Sequence, residues 1–266
     1  MSNDEENRNT FKISYHRDFT SLSNENTDRY IDESNSNNSI TYIEVDARLT
    51  KDGRIIVAHS NDLIVDGKHV RISDLTYEKA RDLIISDRNK LINVREAVYL
   101  FNGGVIITPR FDGDYVPLCN ELIRELVPIK NNLNIIIQST SVEALSYISR
   151  NSALDCQLVI TDKNYQYANR FERLSIDHYI LTEKLYKELA IREKKLAITT
   201  INNERDIDTV LNYVGDGYKD IIFSTTCPDL IYSKLKEKDR CRQESLWNWK
   251  VYYGQLLSLQ YYLLFV

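Results

Sequence analysis

The chain has 266 residues, 42% of them hydrophobic and 27% charged, which is ordinary for a globular protein of one large domain or two small ones. Its formal net charge of −5 argues against nucleic acid as the main partner, because a phosphate backbone selects a basic surface; a local basic pocket for one small phosphate stays open. Cys119, Cys156, Cys227 and Cys241 are scattered, with no CxxC pair and no zinc spacing, and read as idle thiols.

Residues 1–10, "MSNDEENRNT", have neither the basic nor the apolar region of a secretory signal. They read as a frayed polar arm, and with the unpaired cysteines they lead us to expect a cytoplasmic protein. Short β-branched runs then recur along the chain: "FKISYH" (11–16), "TYIEVDA" (41–47), "RIIVAH" (54–59), "GVIITPRF" (104–111) and "NIIIQST" (134–140). "QLVITD" (157–162), "HYILT" (178–182), "KLAITTI" (195–201) and "DIIFST" (220–225) follow. Most are continuous rather than alternating, which suits strands buried on both faces of a parallel sheet.

Amphipathic stretches lie between many of them: "SDLTYEKARDLI", "VREAVYLF", "PLCNELIRELVPI", "SVEALSYISR", "TEKLYKELAIREK" and "ERDIDTVLNYV". "SDLTYEK" and "STSVEAL" open with Ser/Thr caps and a first-turn Glu. This alternation leaves an α/β fold of two kinds, a (β/α)8 barrel or a doubly wound sheet. Nine strand candidates for eight barrel places mean that one is an insertion strand or no strand. No GxGxxG or GxxxxGK[ST] follows a strand, which disfavours dinucleotide and P-loop readings. "DESNSNNSI" (32–40) reads as a polar loop, and the tail "WNWKVYYGQLLSLQYYLLFV" (247–266) as an apolar segment too interrupted for a span. That tail would pack on the barrel, associate with a second copy, or lie on a membrane surface.

In a barrel, side chains at the C-terminal ends of strands face the active-site mouth. His16 and Arg17, Glu44 and Asp46, His59, and Arg110 all sit at such ends. Residues i and i+2 of a strand share a face, so Glu44 and Asp46 aim the same way. Spacing leaves two readings: a site for Mg²⁺ or Ca²⁺, or an exposed edge strand with both carboxylates in water. His69, in the turn-like "VDGKHVRI", reads as a surface residue and His178 as structural. Two histidines beside an arginine suit acid/base chemistry on a phosphoester, one taking a proton from the nucleophile and one protonating the leaving alkoxide. Arg17 and Arg110 would hold the nonbridging oxygens.

"HR" (16–17), "ENT" (25–27), "IEVDARLTKDGRIIVAH" (43–59) and "SDLTYEKARDL" (73–83) resemble the glycerophosphodiester phosphodiesterase family, whose pattern runs HRG, PENT, E-x-D, TKDG, VVxHD and DLT. "IIIQST", "ITTIN" and "IIFSTTCP" stand where that family has its rear segments, so the likeness spans about residues 11–230. It implies a (β/α)8 TIM-type barrel over 11–240 with a small insertion after the third strand segment, and a divalent cation, Mg²⁺ or Ca²⁺. It also implies cleavage of a small glycerophosphodiester, through a cyclic phosphate if the substrate's own neighbouring hydroxyl attacks. Position by position, His16 and His59 become the acid/base pair, Arg17 a phosphate ligand, and Glu44 and Asp46 metal ligands.

Departures cluster at the expected mouth. The family's E-x-K motif is here "TPR", so Thr108 replaces the third carboxylate and Arg110 the lysine. Asp112 is the candidate to supply the missing acid. Asp18, Ser60, Thr199 with Thr200, and Thr225 with Thr226 replace other motif residues, so Thr108 and Thr200 are expected to shape the substrate pocket. A phosphodiester hydrolase or lyase of altered substrate class is the leading reading. A barrel that binds a phosphorylated ligand without turnover, and a phosphoryl-transfer enzyme, are the alternatives.

Overall fold

The structure is a computed structural model that describes residues 11–16, 26–86, 89–215, 217 and 221–244. Eight parallel strands close on themselves: β1 (Lys12–Tyr15), β2 (Tyr42–Leu49), β8 (Gly104–Pro109), β9 (Ile135–Ser139), β10 (Asp155–Val159), β11 (Arg173–Asp177), β12 (Lys195–Thr199) and β13 (Ile222–Thr225). Each pairs with the next, and β1 bonds both β13 and β2, which completes the (β/α)8 barrel. Closure leaves no unpaired edge in the ring.

Alternation along each strand sorts the side chains. Ile43, Val45 and Ala47 of β2, and Val105 and Ile107 of β8, are fully or almost fully buried in the main core. The opposite face of the strands turns into the barrel, where Ile106, Ile136, Ala197 and Ile222 cluster with Tyr42. Glu44, Thr108 and Gln138 lie two residues further along their strands than Tyr42, Ile106 and Ile136, so they form the next layer toward the C-terminal mouth.

Helices cover the outside: α1 (Asp28–Ser36), α2 (Tyr77–Arg81), α3 (Val94–Leu100), α4 (Val116–Leu126), α5 (Val142–Asn151), α6 (Glu183–Ile191) and α7 (Glu204–Val214). Residues 228–244 are also helical, a stretch that crosses the boundary expected at 240. Side chains of Thr27, Asn93, Ser141, Thr182 and Asn203 cap five of these helices by accepting a first-turn N–H. Thr76 precedes α2 without a side-chain cap bond, so only one of the two cap signatures forms as expected.

Two expectations are corrected, and the surplus among the nine strand candidates is explained. "RIIVAH" contributes β3 (Ile55–Val57), which runs antiparallel to the upper half of β2 and is not a barrel stave. "HYILT" is not a strand; the stave is the preceding Arg173–Asp177, and the chain turns at His178. The supposed loop 32–40 begins inside α1, which Tyr30 and Ile31 anchor by complete burial. The insertion after β3 consists of the hairpin β4 (Asp62–Val65) and β5 (Lys68–Arg71), followed past α2 by β6 (Ile84–Ser86) and β7 (Asn89–Lys90). His69 is exposed on β5, as a surface residue should be. The tail 247–266 and the arm 1–10 lie outside the described residues. Among the described residues no helix is long and apolar enough to cross a membrane.

Candidate active site

β2 and β8 build the centre of the mouth. Their register sets Asp46 opposite Thr108, and the Arg110 N–H bonds the Ala47 carbonyl, so Arg110 leaves the sheet directly beside Asp46. Arg110 Nε lies 2.6 Å from Asp46 Oδ1, and His59 Nδ1 lies 3.0 Å from Asp46 Oδ2. Asn26, in a left-handed turn at φ 64°, accepts from the Asp46 backbone N–H at 2.9 Å and donates to Oδ2 at 3.3 Å. Asp46 is therefore buried with partners on both oxygens. Burial pushes its carboxyl up, but the His59 hydrogen bond and the Arg110 charge outweigh that and hold it below the ordinary carboxylate value.

Arg110 Nη2 is also 3.3 Å from His59 Nδ1. A guanidinium can only donate, so this contact and the Asp46 contact assign Nδ1 opposite roles. The shorter, charge-assisted bond to the carboxylate decides it: Nδ1–H donates to Asp46, and Nε2 becomes the basic nitrogen. Arg48 fixes the other end of this segment, with Nε and Nη2 at 3.0 and 2.8 Å from the His59 carbonyl.

Glu44 occupies the layer below. Its Oε1 accepts from Thr108 Oγ1 at 2.9 Å and Gln138 Nε2 at 3.2 Å, while Oε2 faces His16 Nε2 at 3.6 Å. Gln138 accepts in turn from Gln157 at 2.7 Å, deep in the barrel. His16 Nδ1 is buried without a hydrogen-bond partner among the described residues. A cavity of about 440 Å³ opens here, with His16, Glu44, Arg48, Arg110, Gln138 and Thr199 in its wall. Asp46 and His59 are not part of that wall; Arg110 both lines the cavity and touches the two of them.

Residues 16–102 match the model of the glycerophosphoryl diester phosphodiesterase family. That stretch includes His16, Glu44, Asp46 and His59 and ends before Thr108 and Arg110. None of the curated proteins matches the sequence. Among solved structures, a phosphodiesterase from Oleispira antarctica in complex with its product sn-glycerol-3-phosphate is similar, with a TM-score of 0.70 at 16% identity, over 85% of this chain and 96% of that one. A glycerophosphodiester phosphodiesterase from Parabacteroides distasonis gives 0.69 at 17% identity, over 87% and 99%. At these identities the likeness establishes the fold. Family match and fold together indicate a phosphodiesterase, a phosphoric diester hydrolase.

Sequence reasoning brought together His16, Glu44, Asp46, His59, Thr108 and Arg110, and these do meet at the mouth. Arg17 falls outside the described residues. Asp112 does not join Glu44: both its oxygens bond Arg48 Nη1, at 3.1 and 3.0 Å, and its side chain is 53% exposed. Thr199 lines the cavity, and Thr200 reaches it only through the 2.9 Å contact between their hydroxyls. Asn26, Arg48 and Gln138 carried no assigned role in the sequence. The signals were present, since Arg48 is two residues beyond Asp46 on the same strand face, and Asn26 and Gln138 lie in the "ENT" and "IIIQST" segments.

The divalent cation that the resemblance implies fits these residues poorly. Mg²⁺ and Ca²⁺ need several hard oxygens, preferably anionic. Asp46 is already neutralised by Arg110 and hydrogen-bonded by His59, the third acidic position is the neutral Thr108, and Asp112 is held by Arg48. Among the described residues, no three His, Cys, Asp or Glu side chains are placed to hold a metal.

Proposed function

We propose that the protein cleaves a small glycerophosphodiester by acid/base catalysis between His16 and His59. The observation that carries this is a pair of histidines at one barrel mouth, each facing a carboxylate, beside a cavity-lining arginine. The phosphate would sit in the cavity against Arg110, whose guanidinium draws off charge from the nonbridging oxygens. One histidine takes the proton of the attacking hydroxyl as its oxygen bonds phosphorus. The other gives a proton to the departing alkoxide as the P–O ester bond breaks.

Attack by the substrate's own neighbouring hydroxyl yields a cyclic phosphate, and water opens that ring with the two histidines exchanging roles. Asp46 keeps His59 in the tautomer this cycle needs, and Glu44 does the same work of charge balance for His16 when it is protonated. Arg17 is a second candidate for the phosphate. The anionic, cavity-bound group fits the product complex reported for the Oleispira enzyme.

Binding without turnover is the second reading, favoured by the fact that Asp46 already has its charge neutralised. Phosphorus NMR on a panel of glycerophosphodiesters and lysolipids separates the two. Turnover lost in both His16→Ala and His59→Ala supports hydrolysis. Tight glycerol 3-phosphate binding with every diester left intact would replace it with the binding role. An added alcohol appearing in the phosphate product would point to transfer.

A further inference from the structure

We propose that Arg110 is the resident cation of this site, so that the protein handles its phosphodiester without a divalent metal. This deepens the hydrolase reading and rests on it.

Three observations carry the proposal. First, the guanidinium occupies the place where a cation would have to bind. Arg110 Nε and His59 Nδ1 take one Asp46 oxygen each, at 2.6 and 3.0 Å, and Asn26 adds a third donor. A metal ion could reach this carboxylate only by expelling the arginine from a nearly solvent-free acid, which would strand a charge.

Second, the remaining acid is committed elsewhere. Glu44 Oε1 accepts from both Thr108 and Gln138, so the position where the resemblance would place a third acid is a hydroxyl that donates to it. That leaves one carboxylate oxygen, opposite His16. A single anionic oxygen is a weak hold on a strongly hydrated dication.

Third, the cavity wall already holds cationic donors. Arg48 and Arg110 line it and are paired outside it by Asp112 and Asp46, which leaves Glu44 as the one acid of the wall. A phosphodiester carries a single negative charge and can accept from such donors directly, with no metal bridging it to carboxylates. Arg110 is 31% exposed, and among the described residues its Nη1 has no hydrogen-bond partner, so it can donate to a phosphate oxygen while Nε stays on Asp46. Its planar fork permits both contacts at once, which the single ammonium of a lysine could not do as well.

The test reads metal binding and turnover separately on the whole chain. Mn²⁺ titration followed by electron paramagnetic resonance should show no site tighter than about millimolar in the wild type, where carboxylate clusters reach micromolar. Thr108→Glu combined with Arg110→Lys, which frees Asp46 and adds a third acid, should acquire one. Turnover by phosphorus NMR should be unchanged in EDTA. Arg110→Ala should lose about a hundredfold or more of it, as for removal of a main charge-stabilising donor, with no rescue by Mg²⁺ or Ca²⁺. Arg110→Lys guards against a folding defect and should retain intermediate activity.

A micromolar Mn²⁺ site in the wild type, or turnover lost in EDTA and restored by Mg²⁺, would overturn the proposal. If no diester is cleaved, the hydrolase reading fails on its own. The cation assignment then stands or falls on the Mn²⁺ titration and on whether Arg110→Ala abolishes glycerol 3-phosphate binding.

Discussion

Replacing Asp46 with Asn tests the electrostatic centre of the site most directly. The substitution keeps the shape of the side chain but puts an amide where a buried carboxylate now serves Arg110 and His59. Breaking a buried ion pair from one side costs about 3–5 kcal/mol. Arg110 is 31% exposed and His59 35%, so water can re-solvate part of each, and the lower end, about 3 kcal/mol, is expected. For a chain of this size that corresponds to a Tm lower by about 6–12 °C at pH 7.

The effect should also depend on pH with a defined sign. The Asp46 carboxyl is held below its ordinary value of 3.8 in the folded protein, so its stabilisation is fully present above 3.8. It fades as pH falls through the lowered folded value, because the proton then binds both states alike. The gap between wild type and Asp46→Asn should therefore be full at pH 7 and close in strong acid. Urea melts across this range, with Arg110→Met and the double variant completing a cycle, measure it. A variant as stable as wild type at pH 7, or a gap indifferent to pH, would refute the account of Asp46 given above.

Asn26→Ala removes both the acceptor for the Asp46 N–H and a donor to its carboxylate, and should cost about 1–3 kcal/mol in a urea melt with a matching loss of turnover. Gln138→Leu strands the Gln157 amide, which is 1% exposed, and frees one side of Glu44; a loss of about 1–3 kcal/mol is expected by the same assay. Burial pushes the Cys119 thiol up to about 11 and that of Cys156 up to about 12. At pH 8 no more than about one in a thousand of either is then thiolate, so a chromogenic disulfide should titrate Cys227 and Cys241 quickly and the other two only on unfolding.

Much of the barrel was legible because its staves are buried on both sides. β8, β9, β12 and β13 fall within largely continuous apolar runs, the pattern that a strand between an apolar interior and covering helices requires, while β1 and β2 alternate apolar residues with polar ones. β11 escaped notice because Arg173, Ser175 and Asp177 turn inward and leave only Leu174 and Ile176 to mark it. The apolar "YIL" just after it drew the strand reading instead, although Tyr179 is 79% exposed and Ile180 42%. α1 was hidden for the opposite reason. Its second half is polar and mimics a loop, while two buried residues, Tyr30 and Ile31, hold it down.

The order of residues along the chain determined the fold class, the two histidines, the paired carboxylates and the replacement of an acid by Thr108. Those are properties of residue type and spacing, which local backbone periodicity converts into position with little freedom. Which charge sits against which was decided only in three dimensions. Arg110 lies 64 residues from Asp46 and Gln138 94 from Glu44, so only the register of β2, β8 and β9 brings them into contact. Asp112, two residues beyond Arg110, is captured by Arg48 and removed from the site. Electrostatic pairing inside a closed barrel depends on distances of a few ångströms across strands, and no one-dimensional spacing encodes those.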